Sequence, residues 1–129
     1  MVEIEMTDDS LVVHVKGVDK LWAMTNKLVF PLEHVAKVEL GVTFEARSAL
    51  RQSVRFGVNL PHVVTAGRFY REGKIAFWDV HSGEHAITIR LLHDDYTHVV
   101  VDVADPAVMV AAITSRLVRA QLPVARVVE

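Results

Sequence analysis

The sequence predicts a mainly β, α+β domain, a bent antiparallel barrel or sandwich of about seven to eight strands with one C-terminal α-helix. Three observations carry this. Residues 67–80 read as a β-hairpin, because aromatic and β-branched runs flank Arg71-Glu72-Gly73-Lys74 and a Glu-Gly pair suits a two-residue turn that needs positive φ. Much of the remaining chain alternates apolar and polar residues with a period of two. Asp105-Pro106 then supplies an N-cap and a first-turn proline for a single amphipathic helix over residues 106–121.

The hairpin fixes its own register. A two-residue turn sets Tyr70 opposite Ile75, Phe69 opposite Ala76, Arg68 opposite Phe77 and Gly67 opposite Trp78. The missing side chain of Gly67 is expected to leave room for the Trp78 indole.

From the start of the chain, Val2, Ile4 and Met6 alternate with Glu3 and Glu5, and Thr7-Asp8-Asp9-Ser10 turns into a second strand with Leu11, Val13 and Val15 on one side. Residues 19–24 read as a helical turn or as a strand continuation with a kink near Gly17, the strand being favoured. Residues 27–32 form a short strand, which Pro31 places at an edge or strand end. One helical turn over 32–35 leads into 35–40, with Val38 and Leu40 inward and Lys37 and Glu39 outward.

Residues 41–61 are the least regular. Within them, 45–56 reads as a short helix with Ala46, Leu50 and Val54 on one side and Arg47, Arg51 and Arg55 sharing a face at i, i+4, i+8. Pro61 ends any helix before it. After the hairpin, Ser82-Gly83 turns, Ile87, Ile89 and Leu91 alternate, and 93–95 turns again. Residues 98–103 form the last strand, with Val99, Val101 and Val103 on one side. Met109, Val110, Ile113 and Leu117 form the stripe of the terminal helix, and 124–129 read as a loose tail. Ile87, Ile89, Val99, Val101, Phe77, Ile113 and Leu117 are expected to share one core.

Composition bounds the function. The 129 residues suit a single domain over 1–129, and 14 basic against 16 acidic side chains give a formal charge of −2. No global basic field attracts nucleic acid. There is no cysteine, hence no thiolate metal site and no Cys nucleophile. The acidic opening Met1-Val2-Glu3-Ile4-Glu5 is unlike a signal peptide, and no apolar run approaches the roughly 18 residues of a spanning helix. A cytoplasmic location is expected.

The order of these pieces resembles the pleckstrin-homology-like fold, and more closely the bacterial pleckstrin-homology-like domains. The resemblance rests on Phe30-Pro31-Leu32-Glu33-His34-Val35, on 67–80 with Phe77-Trp78-Asp79-Val80, and on Val101-Asp102-Val103-Ala104-Asp105-Pro106 leading into a helix. It covers roughly residues 2–121. Phosphoinositide-binding members use a basic first hairpin loop and carry a Trp in the C-terminal helix. Here the loop is Thr7-Asp8-Asp9-Ser10 and the helix has no Trp. The resemblance therefore implies a scaffold for binding or self-assembly, without catalysis and without phosphoinositide membrane binding.

Candidate sites are few. His81-Ser82-Gly83-Glu84-His85 matches H-x-x-E-H, but that zinc pattern needs a helix and Gly83 sits between two strands, so a solvated turn is expected and no metal is assigned. His93 and His98 bracket another turn. Glu84 and Asp79 serve as general acids only inside a pocket, and Asp79 reads either as sharing the face of Ile75 and Phe77 or as an outward strand-end residue, the second being favoured. No catalytic residue and no cofactor are assigned, so the chain is not expected to be an enzyme. Arg47, Arg51, Arg55 and Arg68 form the local basic excess and are the candidate ligand-binding residues, for phosphate or carboxylate.

The expected function is a binding or assembly domain for a protein partner or for a second copy. The alternative is a small-molecule or anion-binding domain using the arginine-bearing region 47–71. Val12, Val29, Val58 and Val100 fall off the phase of their strands or in the irregular segment. They mark strand edges, 99–103 among them, and the 41–61 segment as routes to a homo-oligomer.

Overall fold

Alternation organises the chain into two sheets. The computed structural model describes residues 2–17, 26–60 and 63–121, with Arg55 and Gln121 described by backbone alone. The expectations for 19–24, Pro61 and 124–129 lie outside the described residues. The first sheet is an antiparallel meander of β1 (Val2–Met6), β2 (Ser10–Val15) and β3 (Lys27–Pro31). The second contains β4 (Val35–Leu40), β5 (Val54–Leu60), β6 (Val64–Arg71), β7 (Lys74–Val80), β8 (Ala86–Leu91) and β9 (Tyr96–Asp102), in the order β4-β8-β9-β7-β6-β5. A 3-10 turn, Leu32–His34, joins the sheets. The helices are α1 (Phe44–Arg51) and α2 (Pro106–Gln121).

The mainly β architecture with a C-terminal helix is as the sequence predicts. Among the described residues there are nine strands instead of seven to eight, and they form two open sheets instead of a closed barrel. One pairing differs in kind: β7 and β9 run parallel, while every other pair is antiparallel. Val99, Val100 and Val101 explain it. All three are fully buried, and a strand apolar on both faces belongs in the middle of a covered sheet, where parallel pairing is at home. β9 is therefore no edge.

Each face of the large sheet has its own cover. On one face, Phe77, Ile87, Ile89, Val99 and Val101 pack with Leu11, Val13, Val15 and Phe30 of the small sheet and with Ile113 and Leu117 of α2. This cluster contains all seven residues of the expected core. On the other face, Phe69, Ala76, Trp78, Val80 and Val100 pack beneath Ala46 and Leu50 of α1. Asp105 caps α2 through Oδ1, which accepts from the Val108 N–H at 3.3 Å.

The β6–β7 hairpin has the predicted register throughout, with Glu72 and Gly73 at φ 52° and 77° as a primed turn requires. The expected reason for Gly67 needs correction. A Cβ there would lie 2.4 Å from the Phe56 carbonyl oxygen and 2.7 Å from the Gly57 Cα, so the close approach of β5, and not the indole, demands glycine.

The expected helix over 45–56 is also corrected. α1 stops at Arg51, where the Ser53 hydroxyl donates to the Ala49 carbonyl at 2.6 Å, and Val54, Phe56, Val58 and Leu60 then alternate along β5. Leu40 ends the outer strand β4 and is exposed, not inward. Of the four off-phase valines, Val29 is exposed and Val58 half-buried, whereas Val12 and Val100 are buried.

Candidate functional site

A buried threonine places α1 over the sheet. Thr88, in the middle of β8, donates its hydroxyl to the Gly41 carbonyl at 2.8 Å and accepts from the Thr43 N–H at 3.2 Å. Thr43 in turn caps the helix, its Oγ1 accepting from the Ala46 N–H at 3.2 Å. Arg90 reaches up from β8 to Glu45 at 3.1 Å. Held at these points, α1 covers the centre of its sheet face and leaves a groove at each end.

The first groove, about 420 Å³, lies between α1 and β5–β7 and is lined by Arg47, Leu50, Arg51, Thr65, Trp78 and Val80 among others. Its floor is apolar and two guanidinium groups stand at its rim. The Trp78 Nε1 is buried and meets no acceptor among the described residues. The second groove, about 450 Å³, collects Arg71, Lys74, Arg90 and His98 beside Glu72. Burial, with the nearby Arg90 adding to it, pushes the His98 imidazole below 6.5 and favours its neutral form.

The four candidate arginines are not brought together. Arg47 and Arg51 share the first groove. Arg68 pairs with Phe77 on the opposite face of the sheet, where its Nε donates to the Tyr96 hydroxyl at 3.0 Å. Arg55 lies on β5, not on α1, and its side chain is outside the described residues. The i, i+4, i+8 spacing fails at its last step because the helix has already ended.

The histidine motif lies in a turn between β7 and β8, with Ser82 at φ 62°, not on a helix. Among the described residues no group of three or more histidine or acidic side chains is placed to hold a metal. Of the two placements the sequence leaves open for Asp79, the structure has the Phe77 face and not the outward strand end: the side chain is fully buried, and His81 Nε2 lies 3.9 Å from its Oδ1. Asp102 is buried opposite Ala86 and accepts the His81 N–H at 2.6 Å.

Burial pushes the Asp102 carboxyl above 3.8, against the pull of the His81 N–H. The folded state then binds the extra proton, so this group costs stability as pH rises from 3.8 through its raised value. Asp102→Asn keeps an acceptor for the His81 N–H and removes that cost. We expect the variant to be at least as stable as the parent at neutral pH, with a smaller loss between mildly acidic and neutral buffer. Thermal melts across that range test it, and a parallel pair of curves would refute it.

The end of the molecule formed by the first hairpin is closed by α2. Arg116 Nη2 donates to the Thr7 carbonyl at 2.6 Å and to the Asp8 carbonyl at 3.3 Å, so the acidic loop is tied to the helix. No described helix is long and apolar enough to cross a membrane.

Sequence reasoning missed the first groove as a place. Its signal was the run Ala76-Phe77-Trp78, apolar at consecutive positions of one strand, which requires a cover on both faces of the sheet. Compared with family models, with curated proteins and with solved structures, the chain has no match.

Proposed function

We propose that this chain is a non-enzymatic, cytoplasmic assembly domain of the pleckstrin-homology-like type, and that it self-associates through the outer edge of β5. One observation carries the reading. β5 is the last strand of the six-stranded sheet, and its four residues on the Phe77 face are apolar, three of them exposed and Val58 half-buried: Val54 is 68% exposed, Phe56 62% and Leu60 51%. An edge strand presents a row of N–H and C=O groups that another strand can pair, and contiguous exposed apolar side chains mark interaction surfaces.

The strand is self-complementary. Gly57 is the midpoint of 54–60, so an antiparallel copy related by a two-fold axis there sets Val54 opposite Leu60 and Phe56 opposite Val58. Apolar then meets apolar along the seam, and a formal charge of −2 per chain leaves little mutual repulsion. Several polar groups elsewhere are occupied structurally, as His34 with Asp94 at 2.9 Å and Arg90 with Glu45 at 3.1 Å, which supports a scaffold over a catalyst.

Sedimentation equilibrium over a wide concentration range tests the proposal. The expected result is a mass that rises above the 14.4 kDa of one chain and returns to it in Phe56→Lys/Val58→Lys. A parent mass that stays at one chain, or a double variant that associates unchanged, overturns it.

A further inference from the structure

We infer that the groove between α1 and β5–β7 binds an amphipathic anion, a ligand with a carboxylate or phosphate head and an apolar body. It is distinct from the centre of the β5 edge: Val54, Phe56 and Val58 lie on the Phe77 face of the sheet and the groove is built on the Trp78 face, with Leu60 at the end of β5 the one residue of that stripe that also lines it. Its volume of about 420 Å³ is in the range of small-molecule sites.

Three features define the ligand. Leu50, Trp78 and Val80 give a floor that only an apolar body covers without stranding polar groups. Arg47 and Arg51, one helical turn apart on α1, stand together at the rim, where like charges at this spacing oppose each other. No carboxylate answers them among the described residues, since the acidic side chain of α1, Glu45, is turned to Arg90. An anion between the two guanidinium groups relieves that repulsion, and both arginines offer planar donor forks that match a carboxylate or phosphate. The third feature is the Trp78 indole itself, which lines the groove and whose buried Nε1 meets no acceptor among the described residues. The second groove lacks this pattern, because Glu72 stands among its cations and Arg90 is already paired.

The test follows the indole N–H resonance of Trp78 in the 15N-labelled full chain, with Trp22→Phe identifying which of the two tryptophans it is. The probes are sodium decanoate, decyl phosphate, decanol and inorganic phosphate, all below micellar concentrations. Decanoate or decyl phosphate should shift the resonance saturably, and the stronger of the two names the head group. Decanol and inorganic phosphate should bind at least about tenfold more weakly, as should the anionic probes in Arg47→Ala/Arg51→Ala. Both arginines are exposed, so the variant should keep the parent amide spectrum. No saturable shift with either anionic probe, decanol binding as tightly as decanoate, or a double variant that binds unchanged would each overturn the inference.

Discussion

Phe77→Ala should lower the free energy of unfolding by about 3–5 kcal/mol, the range for removing a buried ring and leaving its cavity. Phe77 is fully buried on β7, between β6 and β9, in the cluster shared by both sheets and α2. Its neighbours Val99 and Val101 belong to a strand hydrogen-bonded on both sides, so the backbone around the cavity has little freedom to collapse into it. Urea denaturation is the measurement, and a midpoint unchanged within error would contradict the placement of this core.

Gly67→Ala should be comparably damaging for a different reason. A residue with a side chain at φ 136° carries a backbone strain of about 1–3 kcal/mol. The 2.4 Å approach to the Phe56 carbonyl adds overpacking of about 1–3 kcal/mol, because the obstacle is main chain and has no rotamer to change. We expect β5 to part from β6 in the variant, with faster amide exchange over 54–60. Gly73→Ala is the control: its φ is also positive, at 77°, but nothing lies within 4 Å of the new methyl. If both variants lose the same stability, the close approach of β5 and β6 is not what the structure indicates.

Local chemistry made much of this fold legible. Glu72-Gly73 dictates a primed turn, and the turn dictates every pair up to Gly67 and Trp78. Asp105-Pro106 marks the start of α2 by side-chain capping alone, and the apolar stripe of α2 names the residues that enter the core. What escaped was decided by distant contacts. Val99 and Val101 read as one phase of an alternating strand with Val100 off it, and only the presence of layers on both sides makes all three internal. β5 was hidden because the spacing of Arg47, Arg51 and Arg55 continues a helical period across Gln52 and Ser53, where the backbone does not. The candidate site was half legible for the same reason. Arg47 and Arg51 are neighbours through the helix itself, whereas the separation of Arg68 from them depends on which face of β6 each register position takes.

The insertion of β9 between β7 and β8 has a consequence for how the chain comes to be folded. During synthesis β5, β6 and β7 emerge as a meander able to pair at once, and β4 and β8 pair with each other, but the two halves share no strand until Tyr96–Asp102 arrives. Until then the ladder groups of β7 and β8 stand open, and such edges on a nascent chain invite wrong partners. Closure is thus a late, non-local event, of the sort that slows folding. The Asp94-Asp95 turn just before β9 divides the chain into a long piece with an empty slot and a short strand-and-helix piece that fits it, so a chain cut at that turn should be restored by mixing its two halves.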